Sequence, residues 1–267
     1  MLLKWIFENK YKLMAFIIGL YVLADVVQHK GLTRVMLPKN FPEYKIDSSF
    51  PGNKNILINT GKAWVKGIDS KELMNVVITK SSGIEFDVYF DVQKNIFDVH
   101  HDPDNSIGLN LEEQLRIYTQ RGIQAGIWLD LKNLNDSNYL SAAAVLSAIR
   151  TKYNLKNRLL VESSRADLLT VFNDGGIFTS YYTPVFNPYL IGDQEMKDQV
   201  DSLSRVIAKS KVNALSGYYF QYPFLHHYFP NYPILIWSAN DRFSLVNWLF
   251  KKKVAASSEV FIALYPQ

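Results

Sequence analysis

The chain of 267 residues contains no cysteine. This absence excludes disulfides, cysteine nucleophiles and cysteine-ligated metals. It leaves the redox compartment open, because a chain without thiols suits oxidising and reducing surroundings alike. A bound metal would therefore need oxygen or histidine ligands.

The chain also lacks a strong charge of either sign. Its 29 basic and 25 acidic residues give a formal net charge of +4, spread along the sequence. Nucleic-acid binding usually needs a concentrated basic face, so we expect no nucleic-acid partner. The mild positive balance is compatible with an anionic phosphate or a membrane surface.

Long apolar runs are rare, and the longest lies near the N-terminus. Leu13–Ala24 (LMAFIIGLYVLA) follows several lysines and is ended by Asp25. The run suits the core of a signal peptide and is short for a membrane span of about 20 residues. Adding Val26 and Val27 would make a marginal anchor. An uncleaved anchor, a cleaved signal and a buried N-terminal helix all stay open.

This segment predicts the location and the domain organisation. Lysines before the run keep the N-terminus cytoplasmic, so an anchor or a signal would export the rest of the chain. We expect a cell-membrane protein with an exported domain, or a secreted or periplasmic protein if the signal is cleaved. The predicted divisions are a signal or anchor over 1–27, a linker over 28–54 and one folded domain over 55–267.

Within 55–267, short apolar segments alternate with helical patterns. The predicted strands are Ile56–Asn59, Ile84–Phe90, Ala125–Leu131, Arg158–Glu162, Gly176–Tyr181, Ala214–Tyr218, Ile234–Ser238 and Glu259–Leu264. The predicted helices are Ser70–Lys80 (with Asp69 as N-cap), Leu111–Arg121, Tyr139–Tyr153, Ala166–Asn173, Gln194–Lys211 and Asp241–Lys252. Eight strands in strict alternation predict an α/β fold of the closed (β/α)8 TIM-barrel type. An open doubly wound sheet is the alternative, weakened by the lack of a glycine-rich fingerprint after the first strand.

Charged residues interrupt two of the apolar strands. Glu85 and Asp87 lie in GIEFDVYF, and Asp130 and Lys132 lie in AGIWLDLK. Residues i and i+2 of a strand face the same side, and buried charges are costly unless paired or metal-bound. On neighbouring barrel strands the three carboxylates would converge, and all-oxygen ligands suit Mg²⁺ or Ca²⁺. A set of salt bridges at the strand ends is the alternative.

A hairpin follows the second predicted strand. Phe90 to Val99 has the pattern of a strand, a turn at Gln93-Lys94-Asn95 and a returning strand that ends at His100-His101. The order E-x-D, hairpin, H-D-P, D-L-K resembles the glycerophosphodiester phosphodiesterase and phosphatidylinositol phospholipase C-like superfamily. Later segments are similar as well: Val161-Glu162-Ser163-Ser164, Ile236-Trp237-Ser238-Ala239-Asn240, and the terminal strand ending at Pro266.

The resemblance implies roles for the cluster. Glu85, Asp87 and Asp130 would hold one divalent cation, with aspartate at the third position as in the sphingomyelinase D branch. His101 would be the catalytic acid or base, with Asp102 orienting its loop. Lys132 would act beside it, pairing with carboxylates or with a substrate phosphate.

One departure from the superfamily concerns the first strand. The superfamily has H-R-G there, and the stretch aligned with it is Ile58-Asn59-Thr60-Gly61, which places Asn59 at the catalytic histidine position. Asparagine binds a phosphate oxygen but does not transfer protons near neutral pH. Lys62 is expected to bind phosphate, and Trp237 and Tyr218 to line the pocket, with a place in the barrel core as the alternative for Trp237.

These expectations lead to two functions from different classes. The first is an exported, metal-dependent phosphodiesterase acting on a glycerophosphodiester, a lipid head group or a surface glycopolymer. The second is a catalytically inactive barrel that binds a phosphorylated or carbohydrate ligand at the cell surface. An unrelated barrel hydrolase is a third possibility.

Overall fold

Eight parallel strands close into a barrel. The computed structural model describes residues 9–30, 40–44, 46, 57–58, 61–77, 82–238 and 244–266. The barrel strands are β1 (Ala63–Lys66), β2 (Gly83–Asp91), β4 (Gly126–Leu131), β5 (Leu159–Ser163), β6 (Phe178–Tyr182), β7 (Ala214–Tyr218), β8 (Ile234–Trp237) and β9 (Val260–Pro266). Their order is β1-β9-β8-β7-β6-β5-β4-β2, and β1 pairs with β2 to close the ring. The predicted (β/α)8 barrel is therefore confirmed, and the open sheet is excluded.

The predicted hairpin is also present. β3 (Ile96–Val99) runs antiparallel to β2, with Val88 opposite Val99. Asn95 in the connecting turn has φ 58°, the left-handed conformation that asparagine tolerates better than most residues. The chain thus returns to the mouth of the barrel directly before His100 and His101.

Helices connect the strands and cover the outside of the barrel. They are α2 (Lys71–Val76), α3 (Leu111–Gln120), α4 (Tyr139–Lys152), α5 (Thr170–Asp174), α6 (Asp193–Ser210), α7 (Tyr222–Tyr228) and α8 (Leu245–Ala256), with a helix α1 (Lys10–Lys30) before the barrel. Two 3₁₀ turns, Ala166–Leu169 and Tyr219–Gln221, precede α5 and α7. The outward residues of the strands, such as Ile84, Phe86 and Val88, form the main core with these helices.

Tryptophans fill the floor of the barrel. Trp64 and Trp128 are fully buried, and their rings pack edge to face with centroids 6.4 Å apart. Gly83 and Gly126 make room for Trp64, because a Cβ atom at Gly83 would lie 1.9 Å from its ring. Alternation then directs Lys66, two positions after Trp64, to the mouth.

The first strand lies later in the chain than the sequence pattern predicts. Of the predicted strand Ile56–Asn59, the described residues Leu57 and Ile58 are not in a strand, and the first described strand is Ala63–Lys66, which pairs with β9 and β2. Leu57 is buried in the floor of the barrel, and the backbone N–H of Ile58 donates to the carbonyl of Asn157, which precedes β5. The apolar run at 56–58 predicts a strand, but its described residues, Leu57 and Ile58, close the bottom of the barrel. Asn59 itself lies outside the described residues.

Helix α1 stands largely outside the barrel. Its segment Lys10–Gln28 is long and apolar enough to cross a membrane, and only 6% of that segment is buried. This exposure argues against the buried-helix interpretation, while the same length and composition fit an anchor or a signal. Most of the predicted linker lies outside the described residues. Phe41 and Tyr44 within it pack on α7, where Tyr44 stacks on Tyr228.

Candidate active site

A polar cavity of about 370 Å³ lies at the carboxyl ends of the barrel strands. This is the end of a (β/α)8 barrel where active sites are found. Its lining includes five carboxyl groups, two lysines and one histidine: Asp69, Glu85, Asp87, Asp130, Glu162, Lys66, Lys132 and His101. Trp237 and Tyr182 form an aromatic wall, stacked with ring centroids 5.8 Å apart.

The three predicted ligands converge in this cavity. Glu85 and Asp87 face inward from β2, and Asp130 faces inward from β4, directly opposite Asp87 in the strand register. One oxygen from each carboxylate lies within 4.8 Å of the other two. Glu85 and Asp87 are buried, and the side chain of Asp130 is 14% exposed. Carboxylate oxygens in this arrangement are suitable ligands for a hard divalent cation.

Lys132 supplies positive charge to the same cluster. Its Nζ lies 2.7 Å from Oδ1 of Asp87 and 2.5 Å from Oδ2 of Asp130. Burial alone would lower the pKa of Lys132, but the two carboxylates outweigh it and raise the pKa above its usual range. Burial raises the pKa of Asp130, and the Lys132 ammonium opposes that shift. Lys132 therefore pairs with carboxylates here, one of the two roles expected for it.

Glu85 is buried beside the other two carboxylates. The backbone N–H of Gly67, just after β1, donates to its Oε2 at 2.6 Å. Burial raises the pKa of Glu85 well above its usual range, and the neighbouring Asp87 and Asp130 raise it further. Such crowding is unfavourable for three like charges beside one ammonium. An additional cation would relieve it, so the donor set fits a divalent metal.

Asp69 belongs to the cavity, a role that the sequence did not indicate. It was predicted as the N-cap of the following helix, but Ser70 caps α2 by accepting from the Leu73 N–H. Asp69 instead accepts a hydrogen bond from the backbone N–H of Asp87 at 3.0 Å. Burial, followed by repulsion from Asp87, raises the pKa of Asp69 to about 7.

Glu162 is a second cavity acid without a predicted role. It lies on β5 opposite Asp130, is 2% exposed, and its Oε2 has no hydrogen-bond partner among the described residues. Burial raises its pKa well above the usual range, Asp130 adds to the shift, and the Ser216 and Ser180 hydroxyls oppose it. The segment Val161–Ser164, which resembles the superfamily, contains this residue, but only the barrel geometry directs it at the cluster.

The two adjacent histidines have different environments. The side chain of His101 is 71% exposed at the rim of the cavity, and its Nδ1 lies 2.9 Å from Oδ1 of Asp102. That hydrogen bond and one from Asn105 lower the pKa of Asp102. His100 is buried, stacks on Tyr89 at 4.2 Å, and approaches the backbone carbonyl of Asp102. Of the two, His101 is the one placed to meet a ligand.

Lys66 occupies the end of β1, the position predicted for Asn59. It lines the cavity, and its Nζ lies 6.0 Å from the Trp237 ring centroid. The stretch aligned with H-R-G precedes β1, and because Asn59 lies outside the described residues, its role stays a prediction. The residue that follows Lys66 is Gly67, so a glycine is still present at this turn.

The remaining predicted contacts divide between the site and other places. Trp237 lines the cavity as expected. Tyr218 lies behind it, with ring centroids 4.6 Å apart. The expectation that Lys62 binds phosphate in the cavity is wrong, because Lys62 precedes β1 and lies at the opposite end of the barrel. Its Nζ donates to the carbonyls of Ala255 and Ser257 at the C-terminus of α8, a favourable position for a cation.

Comparison with known proteins supports the fold. No family profile and no curated protein matches the chain. A candidate glycerophosphoryl diester phosphodiesterase from Silicibacter pomeroyi DSS-3 is 12% identical, with a TM-score of 0.57 over 80% of this chain and 92% of that one.

Two further phosphodiesterase structures are similar. A glycerophosphodiester phosphodiesterase from Parabacteroides distasonis ATCC 8503 is 14% identical, with a TM-score of 0.51 over 78% of this chain and 93% of that one. An Oleispira antarctica phosphodiesterase, solved with its product sn-glycerol-3-phosphate, is 13% identical, with a TM-score of 0.51 over 76% and 92%. These similarities concern the fold: this chain has a TIM-barrel fold similar to that of the glycerophosphodiester phosphodiesterases.

Proposed function

We propose that this protein is an exported, metal-dependent phosphodiesterase. One observation carries the proposal: Glu85, Asp87 and Asp130 converge within 4.8 Å at the mouth of a barrel of this fold. The substrate classes that suit the site are a glycerophosphodiester, a lipid head group and a surface glycopolymer phosphodiester. The N-terminal helix would anchor the protein to the membrane, with the barrel on the exported side.

The charge balance of the cavity supports metal dependence. Five carboxyl groups face two lysines, so a phosphodiester anion would be repelled by the cavity unless a cation were added. Glu85, Asp87 and Asp130 would hold Mg²⁺ or Ca²⁺, because both prefer oxygen ligands. When bound, such a cation stabilises negative charge on phosphoryl oxygens. Lys132 would then be available to contact the phosphate or to stay with the carboxylates.

His101 would transfer the proton. Its Nδ1 is held by the Asp102 carboxylate, which leaves Nε2 as the atom that can take or give a proton. The lowered pKa of Asp102 keeps this carboxylate ionised, so it can orient the ring and stabilise its charged form. Lys66 would bind a phosphoryl oxygen beside the Trp237 wall.

Assays on the full-length protein test this function. Purified wild type should hydrolyse members of a panel of glycerophosphodiesters, lysophospholipids and polymeric phosphodiesters in Mg²⁺ or Ca²⁺, and chelation should stop it. His101→Ala should lose about 10²–10⁴-fold in rate. His227→Ala is the matched control and should retain the full rate, because His227 lies on α7, where it contacts Glu43 and not the cavity. Full activity of His101→Ala would remove His101 from the mechanism.

A catalytically inactive, phosphate-binding barrel is the second candidate. The observation that favours it is Lys66, because an ammonium group at the end of β1 binds anions but is a poor proton acceptor. If this candidate holds, wild type binds a phosphodiester in a metal-dependent way without cleaving it. Lys66→His should then introduce hydrolysis, whereas an already active wild type would be slowed or unchanged by the same substitution.

Anchoring and export have their own test. An uncleaved anchor predicts that the mature protein keeps its N-terminus and remains in the membrane after alkaline extraction. A mature N-terminus shortly after Ala24, with the protein in the soluble exported fraction, would establish the cleaved-signal alternative.

A further inference from the structure

The outer face of α8 has a pattern opposite to that of an ordinary surface helix. Leu245, Trp248 and Leu249 point outward and are 37%, 53% and 51% exposed, while Val254 is buried. The spacing i, i+3, i+4 is the one by which helices normally place apolar residues against a core. Large apolar side chains grouped on a surface indicate an interaction site more often than single ones do.

Positive charge continues the same face. Lys252 follows Trp248 by one helical turn, and its Nζ lies 5.2 Å from the Trp248 ring centroid. Lys251 and Lys253 flank it, and α8 contains no acidic residue. A groove of about 530 Å³ opens between α8 and the outer face of β1 and β9, with Lys251 and Lys252 among its lining residues. Tryptophan, leucine and lysine in this arrangement match the interface of an anionic lipid bilayer.

The contact between α8 and α1 gives the position of this face relative to a bilayer. The two helices pack against each other. Along α1, Phe16, Ile17 and Ile18 are exposed, whereas Asp25 near the C-terminal end is buried. The barrel therefore contacts α1 near the end at which the apolar segment stops. If α1 spans a membrane, α8 lies at the level of the membrane surface.

We propose that α8 is a second membrane contact, which lays Trp248 and Leu249 into the lipid interface and places Lys251–Lys253 near anionic head groups. This contact rests on the membrane anchoring proposed above and adds a fixed barrel orientation to it. The partner is a lipid surface, since the helix combines an apolar stripe with an excess of positive charge and adjoins the membrane segment.

Site-directed spin labelling of the full chain in phosphatidylcholine–phosphatidylglycerol vesicles tests the contact. The chain has no cysteine, so each introduced cysteine carries the only label. Leu249→Cys reports on α8, and Ile18→Cys reports on the anchor. Leu140→Cys is the matched control, because Leu140 is an exposed apolar residue on α4, between β4 and β5, on the side of the barrel opposite to α8. Thermal unfolding verifies that each labelled variant is folded.

The proposal predicts that labels at 18 and 249 are several-fold more accessible to oxygen than to a water-soluble nickel complex, while the label at 140 shows the reverse. Changing Lys251, Lys252 and Lys253 together to glutamine should move the label at 249 toward water. If the label at 249 behaves like that at 140 while the label at 18 is in lipid, the α8 contact is wrong and the anchor stands. If the labels at 18 and 249 are both in water, both proposals are wrong.

Discussion

Replacing Glu85 by glutamine tests the carboxylate cluster as a metal site. Glutamine keeps the size of the side chain and an oxygen that can accept the Gly67 N–H, but it removes one charged ligand. Because burial and two neighbouring carboxylates already raise the pKa of Glu85, its charge is unfavourable in the metal-free protein. Glu85→Gln should therefore leave the metal-free protein as stable as wild type or more stable, unlike most substitutions of buried polar residues.

The effect of metal should differ between the two proteins. A ligand that binds only the native state stabilises it by about 2.7 kcal/mol at 100 times its Kd. For a barrel of this size, that corresponds to a rise in Tm of roughly 5–11 °C. Substitutions of residues that only orient a metal ligand weaken metal affinity by up to ~100-fold. Loss of a ligand itself should weaken the metal affinity by at least as much. At the same metal concentration, stabilisation of Glu85→Gln then falls to about 0.4 kcal/mol, roughly 1 °C in Tm.

Thermal unfolding with and without Mg²⁺ or Ca²⁺ measures both effects. Glu259→Gln is the matched control, because Glu259 is an exposed acid before β9, and its variant should show the full metal shift. Wild type whose Tm does not change with either cation would refute the metal site. A full shift in Glu85→Gln would refute the assignment of Glu85 as a ligand.

Three further predictions concern the charge and packing of the barrel. Lys132→Met leaves two carboxylates without their ammonium partner. Because Lys132 is 26% exposed, the free energy of unfolding of the metal-free protein should fall by only about 3 kcal/mol. A divalent cation should restore most of this loss, as denaturant titration would show. Since the pKa of Asp69 rises from 3.8 to about 7 on folding, the native state favours its protonated form, and metal-free stability should fall as pH rises from 3.8 to about 7 and level off above that. Asp69→Asn should flatten that pH profile, and an unchanged profile would contradict the assignment. Gly83→Ala would place a Cβ 1.9 Å from the Trp64 ring and should cost about 3 kcal/mol, measured by chemical denaturation.

The barrel and its carboxylate cluster could be predicted because local patterns specify them. Glu85 and Asp87 stand two apart in a run that is otherwise apolar, so any strand through that run directs both inward. Asp130 interrupts the apolar run of the next barrel strand, β4, and faces inward for the same reason. The asparagine-containing turn at 93–95 specifies the hairpin, and the hairpin brings His101 back to the rim.

The first strand was misplaced because local hydrophobicity is a weak signal for a strand of four residues. Ile56–Ile58 is more apolar than Ala63–Lys66, but Trp64 fits the barrel floor only beside Gly83 and Gly126, which are distant in sequence. That packing directs Lys66 to the mouth and Lys62 to the bottom. Tertiary packing thus overrides the local pattern at this strand.

Asp69 and Glu162 were missed for a related reason. Asp69 precedes a helix and has the residue type of a cap, yet it bonds the backbone of Asp87. Glu162 is the single charged residue of the apolar strand β5, with no second charge two positions away. Only closure of the barrel shows that both acids face the cluster.

A crystal structure of the protein soaked in Mn²⁺, with anomalous scattering, tests the central claim most directly. The claim predicts one anomalous peak in the cavity, within about 2.0–2.6 Å of an oxygen from each of Glu85, Asp87 and Asp130. A cavity without a peak, with the Lys132 ammonium still between Asp87 and Asp130 at saturating metal, would contradict it.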